Sequence, residues 1–232
     1  MGALSIRFVS NVAELRQVGR FRHAVYVEEM HRHRDRPDGD RLLIDPMDDG
    51  AYIIAAWDGT AVVGTVRISL CGSAGIGAYE DWYRAPEVAG SAWPSRTALL
   101  TRLMVAPEFR RTTLSARLCG ACFSFGVARG VTCALMDCNE HLLPYFARIG
   151  WILQGSFDHP DYGRVFTHSF DLADVGRLRG LRSPLLRAAA GADSGGAAIV
   201  TTSAMVAACM ERSAPKRAAH VLPSRKGGRI AA

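Results

Sequence analysis

Lysine is the residue this chain most conspicuously lacks. None occurs before position 216 of the 232 residues, so the fixed positive charge of nearly the whole chain is carried by arginine. Residues 1–183 hold 21 arginines against 20 aspartates and glutamates, whereas residues 184–232 hold 7 lysines and arginines against 2 acids. The formal charge of +6 is therefore mostly a property of the C-terminal stretch, and a near-neutral bulk gives no reason to expect a nucleic-acid partner. Long apolar runs are lacking too: none reaches the ~18–20 residues of a membrane span. Six cysteines are present, but they give no disulfide framework, and no secretory signal peptide is seen. Both observations predict a reducing, cytoplasmic setting. Cys119-x-x-Cys122 with Cys133 and Cys138 has the look of a zinc set. The first pair falls inside a predicted helix and the second in or at the end of a buried strand, so these read as small core residues and no metal is expected.

What is present suffices for one core: 49% of residues are hydrophobic and 22% charged. A strand, LSIRFV, leads into a helix over residues 11–29 capped by Asn11. Residues 31–49 are polar and predict a loop. The strands AYIIAAW and VVGTVRISL follow, joined by the hairpin signal Asp58-Gly59. Residues 71–97 form an insertion with Tyr79, Trp82, Tyr83 and Trp93, read either as a pocket wall or as surface helix packed on the sheet. From about Arg182 the composition turns to Ala, Gly, Ser and basic residues, so the reading is a folded domain over 1–182 and a largely disordered tail over 183–232. The one apolar patch of the tail, AIVTTSAMVAACM, could form an amphipathic helix in weak contact with a membrane surface, on its inner face.

The stretch 99–151 reads as one chemical device. A strand, LLTRLMV, is ended by Pro107; a Pro-Glu-Phe-Arg-Arg turn follows, then a helix with Leu114, Leu118, Ala121, Cys122 and Phe125 at helical spacing. A strand, VTCALMD, comes next, then a helix over 141–148 closed by Gly150. The first turn of the earlier helix is basic and rich in hydroxyls. Its free N–H groups at Arg111, Thr112, Thr113 and Leu114, with Ser115 and Arg110 beside them, predict an anion site suited to the phosphate of a pantetheine thioester.

Three arginines interrupt apolar patterns. Arg22 shares a helical face with Leu15, Val18 and Val25; Arg67 lies within VVGTVRISL and Arg102 within LLTRLMV. A guanidinium aimed into a core is costly unless a carboxylate or phosphate pairs with it. Asp45 and Asp48 are the candidate partners, and the planar fork of arginine suits that pairing. The set is either a buried ion-pair network that fixes helix and loop to the sheet or a substrate site. His159, between Asp158 and Asp161, is a candidate base or a solvated loop histidine.

Two resemblances build on these residues. VAPEFRRTTLSARL and ALMDCNEHLLPYFARIGW resemble the acyl-donor motif and closing strand–helix of the GNAT N-acyltransferase superfamily, over roughly residues 4–172. Arg22 in RFRHAVYVEEM, Asp45 and Asp48 in DPMD, Arg67 in GTVR and Arg102 in TRLMV resemble the signature of acyl-homoserine-lactone synthases and the related N-acyl amino acid synthases. Leu43 stands where the acidic cluster of the lactone synthases usually begins, and HPDYG with PYF is more similar to the N-acyl amino acid synthases. Thr113 and Ser115 replace the usual turn glycines, and Phe146 stands where a general-acid tyrosine often does, with Tyr145 adjacent.

The resemblance implies an α/β fold of the α+β type: a mixed, mainly antiparallel sheet flanked by helices. It implies an N-acyltransferase with no permanently bound cofactor, passing a fatty acyl group from acyl carrier protein or acyl-CoA to the amine of an amino acid or similar small amine by direct attack. In that scheme Arg110, Arg111 and residues Thr112, Thr113, Leu114 and Ser115 hold the donor phosphate, and the Val105 N–H polarises the thioester carbonyl. Arg22, Arg67 and Arg102 dock a carboxylate, Trp82 contacts substrate, and Asp45, Asp48 or His159 takes the amine proton. The alternatives are a lactone synthase using S-adenosylmethionine, an acetyl-CoA N-acetyltransferase, and a non-enzymatic binding module.

Overall fold

The strongest strand signals fold as a hairpin. Tyr52–Asp58 (β2) pairs antiparallel with Ala61–Leu70 (β3), turning at Gly59, whose φ of 60° lies where a side chain would be strained. The computed structural model describes residues 4–32, 41–186, 202 and 205–209. Within them the remaining strands are Leu4–Phe8 (β1), Thr97–Val105 (β4), Cys133–Cys138 (β5), Ile152–His159 (β6) and Gly163–Asp171 (β7). They form one seven-stranded sheet in the order β1-β2-β3-β4-β5-β7-β6. Every pairing is antiparallel except β4 with β5. The architecture is the expected GNAT-like mixed sheet flanked by helices.

Helices cover both faces, because alternate residues of the central strands are apolar on each side. On one face the helix Leu114–Ala128 (α5) buries Leu114, Leu118, Cys122 and Phe125 against Ile54, Val66, Ile68 and Ala134, joined by Phe146 and Ile149 of Leu143–Ile149 (α6). On the other, Val12–His23 (α1), capped by Asn11, sets Leu15 and Val18 on Ile53, Ala55 and Trp57. Next to it, Leu99 and Leu135 pack with Ile76, Tyr83 and Ala85. These last come from the insertion, which folds as the short helices Cys71–Ala74 (α2), Tyr79–Tyr83 (α3) and Ala85–Ala89 (α4). The helix Val175–Gly180 (α7) follows the sheet.

Three local expectations change. The helix predicted over 11–29 divides, α1 giving way to a π-helical turn at Ala24–Glu29. β6 is a strand where none was predicted, and His159 stands at its end, buried rather than in a solvated loop. The Phe146 side chain is core, and the Tyr145 hydroxyl turns instead to Ser115 Oγ, 2.9 Å away.

Most of the expected tail lies outside the described residues. Where described, the chain beyond residue 182 packs on the domain. Ser183 Oγ donates to the Ile149 carbonyl and Leu185 is buried. Met205, Val206 and Cys209 add to the core beside α1. Thr202 is fully buried, its hydroxyl donating to the carbonyls of Asp48 and Ala51. Thr202→Val removes both hydroxyl bonds and leaves each carbonyl its backbone N–H partner, so a loss of about 0.5–1.5 kcal/mol is expected in urea unfolding. An unchanged midpoint would show that the contact contributes nothing.

Candidate active site

The site grows from a gap in the sheet. β4 and β5 are in register from Thr97 with Cys133 to Leu100 with Met136, and no further. Beyond Leu100 β4 stays with β3 and leaves β5, so the end of the parallel pair opens. A bulge marks the place: Thr65 pairs with Met104 but Arg67 with Thr101, which leaves two residues of β4 opposite one of β3. Arg102 sits in that bulge at φ 57°, the left-handed region an arginine rarely adopts. Strained backbone of this kind, costing ~1–3 kcal/mol, is characteristic of functional positions. Further along, Ala106 N–H donates to the Val63 carbonyl (2.9 Å), so Gly64 and Val105 form a non-hydrogen-bonded pair. The Val105 N–H therefore points away from β3, toward the gap.

The three arginines and two aspartates meet on one face of this sheet. DPMD is a single 3-10 turn, Pro46–Asp48, with a capping box: Asp45 Oδ1 accepts from Met47 N–H, and Asp48 Oδ2 accepts from Asp45 N–H, each at 3.0 Å. That box, started by Pro46, fixes both carboxylates in orientation. Arg22 in the last turn of α1 reaches Asp48 with Nη1, 2.8 and 2.9 Å from its two oxygens. Arg67 Nη1 donates to Asp45 Oδ1 at 2.6 Å and to Asp48 Oδ1 at 3.3 Å, while its Nε donates to Thr101 Oγ1 at 2.8 Å. Arg102 Nη2 donates to Asp45 Oδ2, and its Nη1 to the Tyr162 hydroxyl, both at 2.5 Å.

Burial separates their roles. The side chains of Arg22 and Asp48 are 0% exposed and Arg67 is 1% exposed, while Arg102 and Asp45 are each 9% exposed. Among the described residues Arg22 Nε and Nη2 have no hydrogen-bond partner. Burial pushes the Asp45 carboxyl up, but Arg67, Arg102 and Arg22 outweigh it and hold it well below the usual carboxylate range. Asp45 is thus a committed anion, and Asp48, like it, is bonded by arginine.

Aromatic rings line the side of the gap nearest Arg102. Its guanidinium lies over Tyr26 of the π-helical turn and Tyr162 of the β6–β7 turn. Tyr26 stacks on Tyr162, and Tyr162 on His159 at 4.2 Å. His159 Nδ1 accepts from Asp161 N–H at 3.0 Å, which puts the proton of the neutral ring on Nε2, 3.3 Å from the Tyr79 hydroxyl. Trp82 stacks on Phe157 and meets His159 edge-on. The insertion thus folds as helices packed on the sheet, one of its two readings, and sets Tyr79 and Trp82 against His159.

Sequence reasoning passed over Asp137. It is the first residue of β5 beyond the last pair with β4, half-buried, with Oδ1 accepting from the Tyr83 hydroxyl. Burial pushes its carboxyl up, against the opposing pull of Tyr83 and Arg102. The signal was available: a charge inside the apolar run CALMDC is the same anomaly as the arginines.

On the donor side Arg110 makes an exposed two-pronged pair with Glu29 (2.5 and 2.8 Å), and its Nε donates to the Val105 carbonyl. Leu114 is buried core, and its N–H goes to Thr112 Oγ1 at 3.2 Å. Arg111, Thr112 and Thr113 remain exposed at the start of α5, and Ser115 faces Tyr145.

A sequence model of the family described as N-acyl amino acid synthase FeeM matches residues 17–156, a span that takes in Arg22, Asp45, Asp48, Arg67, Arg102 and Asp137. Among solved structures, the CoA-dependent acyl-homoserine lactone synthase BjaI, with SAM and isopentyl-CoA, superposes with a TM-score of 0.60 at 21% identity, over 80% of this chain and 99% of that one. FeeM, an N-acyl amino acid synthase from uncultured soil microbes, gives 0.57 at 14%, over 75% and 93%. The AHL synthase LasI gives 0.54 at 12%, over 74% and 91%. At these identities the structures establish a common fold. No curated protein matches the chain.

Proposed function

The chain belongs to the N-acyl amino acid synthase FeeM family and is an acyltransferase, and we propose that it moves a fatty acyl group from a thioester to the amine of an α-amino acid by direct attack. The observation that carries this reading is the arginine cluster at the bulge: Arg102, the least buried of the three, lies where β4 leaves β5. The amino acid's carboxylate docks on Arg102, with Arg67 behind it. Arg22 and Asp48, sealed from solvent, hold the DPMD turn in place rather than touch substrate.

The donor is acyl carrier protein or acyl-CoA, consistent with the isopentyl-CoA described for BjaI. Its thioester lies in the gap with the carbonyl oxygen on the Val105 N–H, where a fixed donor stabilises the developing oxyanion. Its phosphate lies against Arg111 and the exposed start of α5. The acyl chain turns to the α5 face, where Leu100, Cys119, Phe123, Trp151 and Phe170 line an apolar cavity of about 20 Å³. A long chain is seated there by displacing those side chains. The nitrogen forms its bond to the carbonyl carbon as the C–S bond breaks, and the thiolate leaves. Burial raises Tyr145, so its hydroxyl stays protonated and can supply the sulfur's proton. No helix among the described residues is long and apolar enough to cross a membrane, and the reaction requires none.

Mass spectrometry of lipid extracts from cells overproducing the protein, against an Arg102→Ala control, tests the reading. Fatty acyl amino acids present only with the parent protein are expected. An acyl-homoserine lactone would move the assignment to the lactone synthases, and products identical in both extracts would remove Arg102 from the site.

A further inference from the structure

We propose that Asp137 binds the α-ammonium of the acceptor amino acid and takes its proton. The inference rests on the proposed function and adds to it the group that generates the nucleophile. Its first support is position. Asp137 follows Met136, the last β5 residue in register with β4, so it borders the gap directly, opposite the wall that carries Arg102. Its side chain lies on the same face as Leu135, since alternate residues of a strand share a face, and its bond with Tyr83 places it there.

A second support is the distribution of charge. The β3–β4 side presents Arg67 from β3 and Arg102 from β4, a site for a carboxylate, and the β5 wall presents a carboxylate, a site for an ammonium. Opposite charges on the two sides favour one orientation of an α-amino acid zwitterion, carboxylate toward Arg102 and ammonium toward Asp137. A third is elimination. Asp45 and Asp48 accept from three arginines between them. His159 has its Nδ1 lone pair occupied by Asp161 N–H and its Nε2 beside Tyr79. Asp137, among the described residues, is hydrogen-bonded by no arginine. The groups that act on its charge are Tyr79 and Tyr83 of α3, Arg102 of β4, Arg32 beyond the π-helical turn, and Cys138 beside it. Burial raises the carboxyl, which brings its proton affinity closer to that of an amine.

The step balances. One proton of the ammonium passes to Asp137, and the freed lone pair forms the C–N bond while the C–S bond breaks. A second proton ends on the leaving sulfur, and the third stays on the amide nitrogen. Asp137 then releases its proton to solvent.

The test compares purified full-length parent, Asp137→Asn and Tyr83→Phe from about pH 6 to about pH 10. Decanoyl-CoA and decanoyl-acyl carrier protein serve as donors, with a mixture of the standard amino acids, and products are read by mass spectrometry. Asp137→Asn is expected to lose about 10²–10³-fold in rate at neutral pH and to recover to within about tenfold near pH 10, where solvent deprotonates the amine. Tyr83→Phe shifts the acid limb of the profile upward, because it removes the bond that favours the charged carboxyl. Asn can still accept from Tyr83 and ends the cost of a buried charge, so its melting point should equal or exceed the parent's. Full activity of Asp137→Asn at every pH overturns the inference and leaves the synthase reading intact. A loss of the same size at every pH also overturns it, since that marks a structural role. A parent that acylates no amino acid from either donor overturns both.

Discussion

Asp48→Ala is expected to lower stability by about 3–5 kcal/mol and to melt about 6–20 °C below the parent. The size follows from what is left behind. Arg22 and Asp48 are both 0% exposed, and Asp48 holds the only hydrogen bonds that Arg22's side chain makes among the described residues. Removing the carboxylate leaves a buried guanidinium with no hydrogen-bond acceptor among the described residues and only the more distant charge of Asp45 to offset it. It also removes the acceptor of Asp45 N–H, so the DPMD turn loses half of its capping box. A companion variant separates the two effects. Arg22→Met with Asp48→Leu replaces the pair by apolar groups of similar size, and such replacements are often neutral or stabilising. It is expected to recover most of the melting temperature and little of the activity, because Arg67 and Asp45 lose the turn that aims them. An Asp48→Ala protein melting within about 2 °C of the parent would show that Arg22 finds another partner or reaches water.

The same cluster shows why so much of the site was legible in the sequence. A charge inside an apolar periodicity is expensive, so the placement of Arg22, Arg67 and Arg102 along the chain is enough to announce a carboxylate partner. DPMD announces a turn with two carboxylates in fixed relation. The hairpin at Gly59 and the helix after Pro107 are likewise local signals. The parts not legible are those set by distance or by exposure. The ion-pair partner of Arg110 is Glu29, 81 residues away in sequence. β6 is an edge strand whose residues 152–156 are exposed, so it has no alternation to betray it. The parting of β4 from β5, which makes Val105 N–H and Asp137 neighbours of one gap, is a property of register and leaves no trace in composition.

Arg102→Ala is expected to lower kcat/KM by about 10³-fold or more while costing only about 1–3 kcal/mol of stability, the reverse of Asp48→Ala. At 9% side-chain exposure Arg102 is not sealed, and Asp45 keeps Arg67 when it is gone. Two parallel charge-assisted bonds to a substrate carboxylate, at ~1.5–3 kcal/mol each, account for a loss of that order. Arg102→Lys should not rescue it, because one ammonium cannot serve Asp45, Tyr162 and a substrate in the directions the fork provides. Acid titration gives an independent reading of the pair. Asp45 is held below its unfolded value, ~3.9, so the stability it contributes is complete above that value. It is lost as the pH falls toward the depressed one. The gap in melting temperature between parent and Arg102→Ala should therefore be widest above about pH 5 and narrow as the pH drops below about 4. A gap that stays constant from neutral to acid pH would mean that Arg102 stabilises the fold through Tyr26 and Tyr162 alone. Unchanged kcat/KM in the same variant would mean that the acceptor's carboxylate binds elsewhere on the gap.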